Sequence, residues 1–516
     1  MYHFRFSLIS ILVLSLIATS CQDSETGETN EAHLGIIDFE VTGSEEAKVR
    51  FNEAMLLLHS FEYSDAEEAF QQTIALDSGF VMAYWGEAMS LNHALWQEQD
   101  LEKGIEVLAG LDTSAEGRVE KAATELEKDF IRAINILYGP GNKASRDSSY
   151  CMFMESLHNK YPGNDEVATF YSLSLIGWGT TDKNKKHIEK AADIALEVLK
   201  RNPQHPGALH YTIHAYDDPE YAEMALAVAD QYAGVAPDAG HALHMPTHTY
   251  LALGKWDKVV SSNIESWEAE KARKERKGLD NNALGYHAYH WLQYGRLQLG
   301  DKETARLMVD SMKQYCDALP SPRARAHMVL LKTTYLFNTE DYDSGVPNIE
   351  IDISDLNIVT RAKDYFADGM TAYYKQQPDV LDSVITHLAN ERVIEELKIS
   401  GTGVRMCGNI NRSITTKTDL LEAETMELQL RAMRAWLDKD TEKTEAYLVR
   451  ATELHTEAGY SYGPPNITKP SFEMYGEWLL ENDRAEEALV QFERSLEMAP
   501  NKTQSLQGKK AALRML

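Results

Sequence analysis

The feature that most constrains this chain is a spacing of 34 residues. Ala191 and Ala225 lie one such step apart, and so do Pro203 and Pro237. A period of this length marks a supersecondary unit that cannot bury its apolar face alone and must stack on copies of itself. A small residue lets two helices approach closely, and a proline stops the second helix where a turn is needed. The same grouping of small residue, alanine, aromatic and proline returns near the carboxyl terminus as Gly476, Ala488, Phe492 and Pro500.

These positions resemble the tetratricopeptide repeat, a 34-residue helix pair with a small residue at position 8, Ala at 20, an aromatic at 24 and Pro at 32. Gly476, Ala488, Phe492 and Pro500 take those four places. Ala54, Ala66 and Phe70 take the first three near the amino terminus, with Ser78 for the proline, and Ala88 takes position 8 of the next repeat. Ala191 with Pro203, and Ala225 with Pro237, occupy positions 20 and 32. Ala432, Leu448 and Ala451 mark another repeat, with Thr444 at the alanine position. The resemblance implies an all-α solenoid of stacked helix pairs over residues 45–516. Residues 339–420 fit worst: Pro347, the β-branched alternation of Ile349–Ile353 and the glycines Gly401, Gly403 and Gly408 predict irregular helices and a long loop.

The amino terminus reads as an export signal. Arg5 precedes an apolar run from Leu8 to Ile17 broken only by Ser10 and Ser15, too short to span a bilayer. Ala18, Thr19 and Ser20 lead to Cys21, which resembles a lipobox, although Ala18 stands where Leu or Val is commoner; an Ala-x-Ser site also suits an ordinary signal peptidase. Residues 1–21 are therefore expected to be a signal, with Cys21 acylated and the chain tethered to a bacterial envelope membrane, the outer one by preference. Residues 22–44 carry Asp23, Glu25, Glu28, Glu31, Asp38 and Glu40 and no Lys or Arg, and predict an acidic, solvated leash.

The chain has 516 residues and a formal charge of −29 at pH 7. A surface that acidic repels phosphate backbones and argues against a nucleic-acid partner. Cys151, Cys316 and Cys407 are widely spaced and form neither a disulfide framework nor a Cys-x-x-Cys metal site.

Eight of the 17 histidines fall between 205 and 290: His205, His210, His214, His241, His244, His248, His287 and His290. His210 and His214 take positions 5 and 9 of one repeat, with Asp217 at 12. His241, His244 and His248 take 2, 5 and 9 of the next, and His287 and His290 take 2 and 5 of a third anchored on Ala305. In tetratricopeptide repeats these positions face the concave groove, so the resemblance implies a column of imidazoles across three repeats. Spacings of three and four place each set on one helical face. The expected first shell is His210, His214, His244 and His248 around a divalent transition metal such as zinc, with Asp217, His241, His287 and His290 beside it. A polar pocket for an anion or small organic ligand, and plain helix-to-helix hydrogen bonding, remain open alternatives.

The stretches from His210 to Asp217 and from His241 to His248 resemble signatures of an uncharacterised bacterial branch of tetratricopeptide proteins. Asn92-His93, Gly463-Pro464-Pro465 and Lys469-Pro470 belong to the same resemblance, which covers most of residues 50–515 and implies architecture and binding positions but no reaction. Asn92, His93 and Tyr462 join the candidate ligand-binding residues on this basis; Tyr460 and Tyr462 are placed to close over the groove. Pro246 would fall inside a first helix, so that helix either kinks and frees the Ala242 carbonyl or begins at Pro246. Pro206 and Pro219 read as first-turn prolines, the latter after a capping Asp218. Tyr84, Trp85, Trp256, Trp267, Trp291 and Trp478 read mainly as repeat core, and Glu268–Lys277 as a solvated helix extension. There is no Gly-x-Ser-x-Gly, His-Glu-x-x-His, phosphate loop or dinucleotide fingerprint, so no catalytic residue is assigned. Three functions stay in play: a lipoprotein binding a ligand or protein in its groove, a histidine-ligated metalloenzyme or metal carrier, and a structural scaffold of an envelope assembly.

Overall fold

Ten helices begin at a Ser, Thr, Asp or Asn that caps them. Ser44, Asp100, Ser114, Thr124, Asn142, Asp301, Ser321, Asn357, Thr416 and Asp440 each accept a bond from the amide three residues on. Each thereby satisfies one of the donors that a helix start leaves open. The computed structural model describes residues 33–182, 185–398 and 415–516. The signal with Cys21, Cys407 and the glycines of 401–408 lie outside the described residues.

The amino-terminal helices are α1 (Glu45–His59), α2 (Tyr63–Leu76), α3 (Val81–Ser90), α4 (Leu101–Leu111), α5 (Ala115–Lys121), α6 (Glu125–Leu137), α7 (Lys143–Lys160), α8 (Asp165–Asp182) and α9 (Lys185–Arg201). The central ones are α10 (Pro206–Ala215), α11 (Ala222–Val235), α12 (Gly240–His244), α13 (Pro246–Ala252), α14 (Trp256–Lys277), α15 (Tyr286–Gln298), α16 (Lys302–Ala318) and α17 (Pro322–Thr339). Then come α18 (Ile358–Tyr374), α19 (Pro378–Glu396), α20 (Lys417–Leu437), α21 (Thr441–Ala458), α22 (Ser471–Glu481), α23 (Ala485–Met498) and α24 (Thr503–Met515). Among the described residues, strand is confined to Asn92–His93 paired with Glu98–Gln99. The chain is an all-α, tetratricopeptide-type solenoid of stacked helix pairs.

The register read from the sequence is the register of the core. Ala54, Ala66, Phe70, Ala88, Ala191, Ala225, Ala305, Ala432, Leu448, Ala451, Ala488 and Phe492 are all wholly buried. A Cβ on Gly476 or Gly508 would meet the Phe492 ring at 2.9 and 2.2 Å, so the ring is held between two glycine faces. The turn inside a pair repeats one geometry: Phe61, Gly254, Gly300, Gln376, Lys439 and Asp483 all have positive φ, from 55° to 83°. Ala54, Ala432 and Gly476 each stand seven residues ahead of such a turn. Gly369 does the same ahead of Gln376, and a Cβ there would lie 2.5 Å from Leu430. Helices α18 and α19 are therefore an ordinary pair, and the expectation of irregular helices is corrected for residues 358–396. Glycine at position 8 and Leu381 at position 20 hid it. Within 340–357 the only regular element is the 3-10 turn Val346–Asn348.

Two further expectations change. Residues 33–44, placed within a solvated leash, lie against the body: Leu34 and Phe39 are buried, Ile36 N–H donates to Gln204 O at 3.0 Å, and Thr42 N–H donates to Glu127 at 2.6 Å. The apolar residues Leu34 and Phe39 between the acids decide this. The run Glu268–Lys277 is not simply solvated, because Arg273 and Lys277 of α14 both pair with Asp65 of α2.

An ideal solenoid makes contacts only between neighbouring repeats; this one also joins distant ones. Thr503 N–H donates to Gln298 at 2.8 Å, Gln504 to Phe337 O at 2.7 Å, and Asn501 to Leu253 O at 3.2 Å. The last helices thus rest on the ends of α13, α15 and α17.

Candidate metal centre

Pro246 shapes the helix that carries most of the histidines. It has no amide to continue the ladder, and the chain breaks into α12 and α13 with Met245 still helical between them (φ −54°, ψ −38°). Hydroxyls take up carbonyls at the break: Ser262 donates to Leu243 O at 2.6 Å and Thr247 to His244 O at 2.7 Å. The start of α12 has Ala239 at its cap, which offers no acceptor. Glu62, from the α1–α2 turn, fills that role by accepting from His241 N–H at 2.9 Å. Pro206 opens α10 as expected, behind a His205 cap. Pro219 does not open α11; it lies in a turn closed by Ala222 N–H on Asp218 O, and the helix starts three residues later.

Six imidazoles from α10, α12, α13 and α15 come together in two groups of three. In one group, one donor atom each from His210, His214 and His241 lie within 4.8 Å of one another; in the other, the same holds for His244, His248 and His287. The groups abut, with ring centroids of His214 and His248 5.7 Å apart and those of His241 and His244 6.1 Å apart. Four of the six are buried, His210, His214, His244 and His248 being 0, 4, 2 and 1% exposed, while His241 and His287 are half-buried. Phe61 covers His210, His214 and His241, while Trp291 lies 4.5 to 5.3 Å from His248, His244 and His287.

Hydrogen bonds fix three of these rings in one tautomer. His210 Nδ1–H donates to the His59 carbonyl at 2.7 Å, and His248 Nδ1–H donates to the Asp217 carboxylate at 2.6 Å. His244 Nδ1–H donates to Asn263 Oδ1 at 2.7 Å, the amide being oriented by its own donation to Val259 O. For His210 and His244 this leaves an Nε2 lone pair with no partner among the described residues, the arrangement by which outer partners orient metal-binding histidines. Burial, and after it the mutual proximity of the rings, holds His210, His214 and His241 well below the ordinary imidazole range, and burial with the proximity of the His248 ring puts His244 at about 3. These four rings are neutral at pH 7, as metal binding requires.

The expected foursome is therefore divided between two trios, and His241 and His287, expected outside the first shell, complete them. Asp217 orients His248. His290 turns away, its Nε2 bonded to Thr334 Oγ1 at 2.8 Å. Asn92 accepts from Lys143, and His93 sits on Tyr63 with rings 4.1 Å apart, outside both trios. Tyr462 packs beside Tyr460, and the Gly463 that follows approaches Trp291 so closely that a Cβ would lie 2.4 Å from its ring. Sequence reasoning missed a third group, His59, Glu166 and His205, all fully buried. Its atoms are mutually bonded: His59 Nε2–H donates to Glu166 at 2.8 Å, His205 Nε2–H donates to it at 3.2 Å, and His59 Nδ1 faces Tyr211 OH at 3.0 Å. This group ties α1, α8 and α10 together. Glu166 was invisible as a partner because it stands 107 residues from His59.

Fold and site together define a tetratricopeptide-type α-solenoid with a buried polyhistidine centre. No protein-family model and no curated protein matches the chain. Among solved structures it is similar to yeast Tom70, at 12% identity over 91% of this chain and 96% of that one, with a TM-score of 0.31. It is also similar to the human IFIT1 dimer with m7Gppp-AAAA, at 13% identity over 88% of this chain and 95% of that one, with a TM-score of 0.38. The Cut9–Hcn1 hetero-tetramer of the APC/C gives 12% identity over 92% and 78%, with a TM-score of 0.36.

Proposed function

We propose that this chain is an exported, lipid-anchored helical scaffold whose buried imidazole cluster binds a transition-metal ion. His214 carries the reading. It is 4% exposed, at the junction of both trios, and neither of its ring nitrogens has a partner among the described residues. Leaving a buried polar group unbonded costs about 1–3 kcal/mol, and the Nε2 atoms of His210, His241 and His244 share that condition. A metal ion supplies what these atoms lack and stabilises the cluster in proportion to its affinity. The stacked pairs also offer the extended surfaces that repeat proteins use for protein partners.

Elemental analysis of the form lacking residues 1–21 tests this. The wild type should contain a transition metal, and the double variant His214→Ala/His248→Ala should lose it while keeping its helical circular dichroism. If the histidines serve only helix packing, the wild type is metal-free and the double variant melts markedly lower.

A further inference from the structure

Resting on that metal-binding reading, we infer that the cluster is two sites, one in each trio, holding two copper ions side by side. The trios are built alike. In the first, His210 and His214 stand four apart on α10, and His241 comes from the start of the next helix pair. In the second, His244 and His248 stand four apart across α12 and α13, and His287 comes from the start of the pair after that. His210 to His244 and His214 to His248 are both steps of 34 residues. One site has thus been repeated by one unit of the solenoid. A third copy is broken: Tyr294 stands four residues after His290, and His290 bonds Thr334 instead.

Each trio is a capped triangle of imidazoles. Bonds of about 2.0–2.1 Å to a tetrahedral ion place its donors about 3.3 Å apart. Donors now within 4.8 Å close by at most about 1.5 Å on that measure. Three imidazoles leave a fourth position open on each ion, and the 5.7 and 6.1 Å ring contacts make the two trios neighbours.

All six donors are imidazole nitrogens, which suit copper and zinc alike. Charge separates the two metals. Two zinc ions would bring four positive charges into an interior where Asp217 is the one carboxylate shown bonded to a trio ring. Two cuprous ions bring two, which lowers the cost of burying uncompensated charge.

The test loads the chain lacking residues 1–21 anaerobically with Cu(I), and separately with Zn(II), removes excess ion and measures metal per chain. Two copper ions per chain are expected, falling to one in His241→Ala and to one in His287→Ala. The variants His241→Asn and His287→Asn, checked for helicity, replace any alanine variant that does not fold. One ion in the wild type, lost equally in both variants, overturns the paired site and leaves the metal-binding reading standing. Stable loading by zinc but not copper overturns the choice of metal. No bound metal in any form overturns both.

Discussion

Replacing Glu270 by glutamine probes how the start of α12 is held. The Glu270 carboxyl lies against Gly240, where a Cβ would come within 2.5 Å of its oxygen. Its neighbour Glu62 accepts from His241 N–H. Burial, followed by the charge of Glu62, raises Glu270 from 4.5 to about 8. The folded state therefore holds a proton that the unfolded chain releases above 4.5, and stability falls as pH rises from about 4.5 to 8. Fully enclosed, such a carboxyl would cost about 5 kcal/mol across that window. The side chain is 15% exposed, and solvent at that edge lowers the expectation to about 2–3 kcal/mol. Glutamine keeps the shape of the protonated acid and does not titrate. Urea unfolding should show Glu270→Gln close to wild type at pH 4.5 and about 2–3 kcal/mol more stable at pH 9. A difference that does not change between these pH values would refute the assignment of a neutral Glu270.

Glu473 shifts the other way: although burial opposes it, Lys502 and Lys469 hold it at about 2. Its contribution is complete above about 4.5 and disappears as pH falls towards 2; Glu473→Gln should cost about 3–5 kcal/mol at neutral pH and show a shallower acid loss in thermal melts. Phe492→Ala empties the space between Gly476 and Gly508 and should cost about 3–5 kcal/mol by denaturant titration; a loss below 1 kcal/mol would mean that the ring is not the keystone of that pair. Cys21→Ser should abolish labelling by a fatty-acid probe and move the protein to the soluble fraction, and unchanged fractionation would remove the anchor.

The sequence by itself determined the register of several helix pairs and that Pro246 would interrupt a helix. These depend on interactions within one repeat: a small residue where helices cross, an apolar residue four places on, a ring without an amide. It also marked out the histidines from which both trios are drawn, because a spacing of three or four residues fixes a helical face. It did not reveal the α18–α19 pair, whose register residues are Gly369 and Leu381 in place of the commoner alanines. Tertiary structure decided how the imidazoles are shared. His241 joins His210 and not its own helix-mates, and His287 joins His244, because adjacent helices turn different sides of one histidine row towards each other. The outer partners were equally out of reach: His59 O comes from 151 residues away, and Asp217 reaches His248 across 31. A ring nitrogen becomes a donor or a lone pair according to what distant chain is packed beside it, and no local spacing carries that information.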